Sequence, residues 1–312
     1  MENEAKKFID FIITQKCTYR CKYCSQSKNQ QDCHNDANIE TINSFYKLLD
    51  KIEKDFEITI TGGEAILHPN FFEIIETVKM QGFKINLITN LSFKIETYQK
   101  IFDILGESLN RYDVSFHLDE IQNFSLMMEK LEKFLEFKPQ NTKVTFFVPF
   151  YNIDSKKELK VDKIVRMAKK HNLEYEFQPI RFLNKFKEEY NEKYDITPQA
   201  HNNFAKLCYA GCESAVIYED GSAYRCYSSR FLQSNYLGNI NENDFMLNDY
   251  ANTCTNCACM CPKPRKYNQV CIEKDYNEAI KETAKNILFL PYLIYKQRKV
   301  VFAKIKQFFE LF

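Results

Sequence analysis

With 312 residues, 45% of them hydrophobic and 27% charged, the chain has the composition of an ordinary globular protein, long enough for one large or two medium domains. A net charge of +1 excludes a global basic field of the kind that gathers nucleic acid, so no nucleic-acid partner is expected. The polar opening Met1-Glu2-Asn3-Glu4-Ala5-Lys6-Lys7 runs straight into a short apolar stretch and lacks the features of a secretory signal. A cytoplasmic location is therefore expected, where clustered cysteines serve more often as metal ligands than as disulfides.

From 8 to about 181, short β-rich runs alternate with helical stretches. Strands are expected at 8–13, 56–61, 83–89, 112–118, 142–148 and 173–180, and helices at roughly 40–53, 70–81, 95–105, 123–137 and 155–171. In 123–137 the apolar residues Leu126, Leu131, Phe134 and Leu135 recur at helical spacing. Alternation of this kind predicts an α/β fold with a parallel sheet and helices outside it, either an open doubly wound sheet or a partial barrel. In both, ligands gather beyond the carboxyl ends of the strands.

The 12 cysteines fall into two groups, one at Cys17, Cys21, Cys24 and Cys33, the other between Cys208 and Cys271. Cys17, Cys21 and Cys24 follow the first strand with the spacing C-x3-C-x2-C. Three thiolates from one loop can hold three irons of a four-iron cluster and leave the fourth iron open to a small molecule; a zinc site completed by Cys33 or His34 is the alternative. Thr61-Gly62-Gly63-Glu64 ends the second strand, facing the same mouth. Its glycines would let backbone approach a ligand closely, and the Glu64 carboxylate would accept from an ammonium group. Thr89 and Asn90 end the third strand, Ser115 and His117 share one face of the fourth opposite Val114, Phe116 and Leu118, Asn152 follows the fifth, and Gln178 ends the sixth.

A second region, about 197–275, has few long helices and carries a hairpin pattern, Ala215 to Tyr218, a turn at Asp220-Gly221, then Ala223 to Cys226. So little apolar surface suggests that metal clusters staple it. From about 276 the chain is helical, then apolar and basic, with Lys296, Arg298, Lys299, Lys304 and Lys306 among aliphatic and aromatic residues. Its apolar run, 287–295, is far below the ~20 residues needed to span a bilayer. Packing on the domain or on a partner subunit and peripheral contact with an anionic membrane both fit it.

The three-cysteine loop, with Tyr23 just before its last cysteine, together with Gly62-Gly63-Glu64, resembles the radical S-adenosylmethionine (SAM) superfamily over about 8–181. The resemblance implies a partial (β/α)6 TIM-like barrel, expected at 1–196; a small cysteine-rich C-terminal auxiliary-cluster domain is expected at 197–275 and a C-terminal helix at 276–312. It implies that Cys17, Cys21 and Cys24 hold a [4Fe–4S] cluster with an open iron site. It further implies that Gly62, Gly63 and Glu64 hold the amino group of SAM, and that Asn90, Ser115, His117 and Asn152 touch its ribose, carboxylate or adenine. Reductive cleavage of SAM would then yield a 5′-deoxyadenosyl radical, the electron coming from an external donor such as flavodoxin or ferredoxin.

The second cysteine group resembles the SPASM or shorter twitch extension, with Cys208, Cys226, Cys254, Cys257, Cys261 and Cys271 as ligands of one or two auxiliary [4Fe–4S] clusters. The closing spacing of Cys254, Cys257, Cys259, Cys261 and Cys271 departs from the usual SPASM run, Cys212 and Cys259 are left unassigned, and a structural zinc is the alternative there. Members with such extensions mostly modify peptides or dehydrogenate sugars. Oxidative modification of a ribosomally made peptide is thus the first expectation, although the chain shows no N-terminal leader-gripping domain. A carbohydrate or other small metabolite is the second expectation, and a non-catalytic metal-binding protein the third.

Overall fold

A computed structural model describes residues 7–24, 35–150, 153–179, 207–208, 210–231, 234–250 and 252–253. Cys33, His34, Asn152, Cys254, Cys257, Cys259, Cys261, Cys271 and the segment 276–312 lie outside the described residues, as do the side chains of Gln178 and Cys208. Among the described residues no helix is long and apolar enough to cross a membrane.

Six strands, β1 (Phe8–Thr14), β2 (Glu57–Gly62), β3 (Lys84–Thr89), β4 (Leu109–Ser115), β5 (Lys143–Phe150) and β6 (Glu174–Pro179), pair in parallel in the order of the chain. Between them run α1 (Ile39–Leu49), α2 (Phe71–Met80), α3 (Ile95–Leu105), α4 (Phe124–Phe137) and α5 (Ser155–Lys170). A doubly wound sheet reverses its strand order at a switch point. Here the order never reverses, so right-handed crossovers put every helix on one face, the winding of a barrel. Among the described residues the sheet does not close: β6 and β10 (Tyr236–Asn239) are the two edges of a nine-stranded sheet.

Three of these five helices, α1, α4 and α5, start where short polar side chains accept from their first turns. Asn38 accepts from Thr41 N–H, Asn123 from Leu126 N–H and Asp154 from Lys157 N–H. The Asn123 cap sets the rotation of α4, so Met127, Leu131, Phe134 and Leu135 form its buried stripe. Leu126, expected in that stripe, is 55% exposed, because the residue before Met127 lies about 100° round the helix.

Strand β4 runs 109–115 where 112–118 was expected. Gly106, at φ 51, ends α3, and a single 3-10 turn, Gly106–Ser108, delivers the chain to the sheet three residues early. His117 therefore stands just beyond the strand. The alternation nevertheless continues, since Phe116 N–H donates to the Phe147 carbonyl at 2.8 Å while Phe116 and Leu118 stay buried.

The strands present apolar residues to the helices and a mixture of polar and apolar ones to the opposite face, where Ile12, Ile88 and Phe147 lie. Ile58, Ile60, Ile85, Leu87, Tyr112, Val114, Val144 and Phe146 join the helix-side core. Asp10, Thr59, Asn86, Arg111, Asp113 and Thr145, at alternating positions, are buried polar residues of the other face. Arg111 Nε lies 3.3 Å from Asp113 Oδ2 there.

The hairpin of the second region continues this same sheet. Strand β8 (Ser214–Ile217) pairs in parallel with β1, matching Phe8 to Ser214 and Phe11 to Ile217, and β9 (Ser222–Tyr224) and β10 follow antiparallel. Two short strands, β7 (Leu207–Cys208) and β11 (Asn252–Thr253), pair separately, with Cys208 opposite Asn252.

Tyr98, Phe102, Tyr112 and Phe134 pack edge to face with centroids 5.1–6.2 Å apart. Phe134→Ala would leave a cavity under β3 and β4, and the expected loss is about 3–5 kcal/mol in denaturant unfolding. A loss under about 1 kcal/mol would show that this cluster does not hold the sheet.

Candidate active site

At the carboxyl ends of the strands lies a cavity of about 210 Å³. Cys17, Cys21 and Cys24 line it from the loop after β1, Gly62, Gly63 and Glu64 from the end of β2, Asn90 from the end of β3, and Ser115 and His117 from the end of β4. With Thr61 and Thr89, which also line it, eleven residues named from the sequence thus meet at one place. Cys226 does not join them; its Sγ lies 3.2 Å from Ser229 Oγ in α6 (Tyr227–Phe231).

Backbone packing by itself requires the two glycines. A Cβ on Gly62 would stand 2.4 Å from the Thr14 carbonyl oxygen, and one on Gly63 would stand 2.3 Å from that of Lys16 and 2.7 Å from that of Gln15. Through this contact Gly63 N–H donates to Thr14 O at 2.9 Å and Glu64 N–H to Lys16 O at 2.7 Å. The end of β2 therefore clamps the root of the cysteine loop. The far side of that root is held by Asp36, which accepts from Thr14 Oγ1 and from Lys16 Nζ, both at 2.6 Å.

Glu64 is 1% exposed. Its Oε1 accepts from Thr89 Oγ1 at 2.9 Å and its Oε2 from Asn90 N–H at 2.8 Å. Burial pushes the carboxyl up to about 7, and those two hydrogen bonds oppose the shift. The turn after β3 that supplies them is held from several sides. Leu91 takes a left-handed φ of 58, its N–H donates to Thr89 Oγ1 at 3.1 Å, and Lys130 Nζ donates to its carbonyl at 3.0 Å. The Asn90 side chain is thereby aimed at the cysteine loop, donating to Thr18 Oγ1 at 2.9 Å and to Cys17 Sγ at 3.7 Å.

His117 Nδ1 lies 3.4 Å from Cys21 Sγ and 3.0 Å from Tyr23 Oη, and its ring stacks on Tyr23 with centroids 5.9 Å apart. Burial lowers the imidazole to about 4, so it is neutral. Burial also raises the thiols, Cys21 to about 12 with the Glu120 charge adding to it. Metal ligation would have to displace those protons.

Sequence reasoning passed over Tyr19 and Ile88, which line the cavity, and Gln15, whose Nε2 donates to the buried carboxylate of Glu219. Arg230 pairs with that carboxylate at 3.2 and 3.3 Å and covers the Tyr218 ring at 4.0 Å. The aromatic at the second position inside C-x3-C was a legible signal for Tyr19. The 204-residue separation of Gln15 and Glu219 left none.

Two outcomes test this geometry. The fold favours protonated Glu64, so this group's stabilising effect is full below the ordinary value of 4.5 and is lost as pH rises through about 7. The unfolding free energy of ligand-free Glu64→Gln, relative to wild type, should therefore grow by roughly 3 kcal/mol between about pH 4 and about pH 8, and a difference flat with pH would contradict it. Gly63→Ala should push the cysteine loop off its clamp. Iron bound per chain after anaerobic reconstitution should then fall, and wild-type iron content would show that the clamp is dispensable.

Residues 11–135 match the family model described as Radical SAM superfamily. Among curated proteins, an S-adenosylmethionine-dependent nucleotide dehydratase of Selenomonas ruminantium is 35% identical over 112 residues, which cover 33% of this chain and 38% of that protein. One of the same description from Fibrobacter sp. (strain UWH6) is 28% identical over 231 residues, covering 62% and 69%. Of solved structures, a histidine-tagged anSMEcpe with bound AdoMet aligns with a TM-score of 0.53 at 18% identity, over 78% of this chain and 81% of that one, a likeness of fold. With the strand order and the cysteine loop already described, residues 11–135 are thus similar to a radical SAM domain.

Proposed function

We propose that the chain is a radical SAM enzyme in which Cys17, Cys21 and Cys24 hold a [4Fe–4S] cluster with one open iron and the Gly62-Gly63-Glu64 segment seats SAM beside it. The observation that carries this reading is the meeting of three thiols and the buried Glu64 carboxyl in one cavity at the carboxyl ends of a parallel sheet. The donor set fits, because thiolate sulfur is the usual protein ligand of such clusters. When bound, the cluster supplies one electron to the sulfonium of SAM, whose cleavage provides a carbon radical that removes a hydrogen atom from the substrate.

The chain's own residues bind and orient. An ammonium group close to Glu64 stabilises the ionised carboxylate, so the proton that burial retains there near neutral pH is released as the ligand docks. Thr89 and Asn90 keep that carboxylate from rotating away. Ser115 and Asn152 stand as further polar contacts to SAM.

The names of two relatives support a small-molecule substrate, of the nucleotide class and losing water, ahead of a ribosomal peptide, which reverses the order suggested by the sequence. Loss of water leaves the substrate's oxidation level unchanged, so a net oxidation is not required. We read 197–275 as a SPASM- or twitch-like region holding one or two auxiliary clusters through Cys208, Cys226, Cys254, Cys257, Cys261 and Cys271. The pairing of Cys208 with Asn252 supports this, since Cys254 follows two residues later. An external one-electron donor such as flavodoxin or ferredoxin completes the reading.

Reconstituted without oxygen and given dithionite and SAM, the wild-type chain should release 5′-deoxyadenosine. With nucleotides added, a product lighter by one water should appear. Changing Cys17, Cys21 and Cys24 together to Ala should abolish 5′-deoxyadenosine while auxiliary iron remains. Iron-loaded wild type that never cleaves SAM would overturn the proposal.

A further inference from the structure

Of three cysteine sulfurs at the cavity, two are approached by side-chain nitrogens from outside the cysteine loop: Cys21 by His117 Nδ1 at 3.4 Å and Cys17 by Asn90 Nδ2 at 3.7 Å. Resting on the cluster reading above, we propose that His117 and Asn90 are positioning residues whose hydrogen bonds to the Cys21 and Cys17 sulfurs raise the reduction potential of the cluster those cysteines hold.

Both contacts are built rather than incidental. Asn90 sits in a turn whose following residue is in a left-handed conformation and whose groups are tied to Thr89, Tyr98 and Lys130. Its backbone N–H is committed to Glu64, so the side-chain amide alone faces Thr18 and Cys17. His117 lies between two aromatic rings, stacked on Tyr23 and edge-on to Tyr19 with centroids 5.9 Å away in each case. The Tyr23 hydroxyl also hydrogen-bonds Cys21. A metal-bound thiolate carries no proton to give, so the imidazole tautomer that bonds to it is the one protonated at Nδ1. Backbone adds a third donor, Tyr19 N–H to Cys17 Sγ at 3.5 Å.

An added electron spreads onto the cluster's sulfur ligands, and a donor aimed at a sulfur therefore favours the reduced state over the oxidised one. The family resemblance alone implies that His117 and Asn90 touch SAM; in the folded chain their side-chain nitrogens also lie 3.4 and 3.7 Å from the thiol sulfurs, beside the nearer oxygens of Tyr23 and Thr18.

The test is an electron paramagnetic resonance redox titration of the full chain, reconstituted anaerobically with iron and sulfide and without SAM. The signal followed is the one that disappears when Cys17, Cys21 and Cys24 are all Ala. His117→Ala and Asn90→Ala should each lower the midpoint so that the reduced fraction at a fixed poise falls about tenfold, about 59 mV for one electron. His117→Gln, which keeps an N–H donor, should recover most of the shift. A wild-type midpoint in iron-loaded His117→Ala overturns the proposal, and so does weaker SAM binding at an unchanged midpoint. If His117→Ala takes up no iron, Asn90→Ala decides, and a wild-type midpoint there overturns it. Should wild type show no signal dependent on the three cysteines, the cluster reading itself has failed, an outcome distinct from all of these.

Discussion

The contact on which the site depends is the one between the backbone of Gly62-Gly63 and the carbonyl groups of Thr14, Gln15 and Lys16. Beyond the last matched pairs of β1 and β2 the two chains stay close enough for Gly63 and Glu64 to donate to Thr14 and Lys16. Hydrogen bonds at that separation exclude a Cβ, and glycine is the residue that has none. One consequence is that the cysteine loop leaves β1 in a direction set by β2. The other is that Glu64 starts from a fixed point, so its carboxylate and the three thiols face a common cavity.

Around that clamp the polar groups are satisfied in a way that leaves little freedom. Glu64 accepts from the β3 turn, that turn is tied to Tyr98 and Lys130, and Tyr98 belongs to the aromatic core under β3 and β4. A buried carboxyl without such partners would be far more costly. The loop residues that face the cavity are thus carried by a rigid scaffold whose stability comes from the opposite, apolar face of the same sheet.

On the other side of β1, the hairpin β8–β9 extends the sheet, and Glu219 at its tip reaches Gln15 at the root of the cysteine loop. Glu219 is 4% exposed and is paired with Arg230, so removing Arg230 would strip a buried carboxylate of its ion pair. Through Gln15 the cysteine loop of the first half and the hairpin of the second region share one hydrogen-bond network. The second region is therefore bound into the sheet by backbone pairing as well as by whatever its cysteines hold.

The period-2 and period-3.6 patterns were enough to find the six strands and five helices, because alternating burial is written locally in the order of residues. The eleven residues that converge at the cavity were legible for a related reason: strand ends in a parallel sheet share an edge. What the local pattern misjudged were phases. Strand β4 begins three residues early because Gly106 and one turn shorten the connection, and Leu126 faces solvent because the Asn123 cap sets the helix rotation. By itself the sequence determined the α/β alternation, the cysteine loop and the glycines with their glutamate, all of them spacings within a few residues. Only the tertiary structure decided that the sheet winds in one sense without reversal, that the glycines pack on the backbone at the end of β1, and that His117 and Asn90 come within reach of the thiol sulfurs. It alone also joined Gln15 to Glu219. The physical reason is that approach distances between segments far apart in the chain follow from packing and register, which no short stretch of residues encodes.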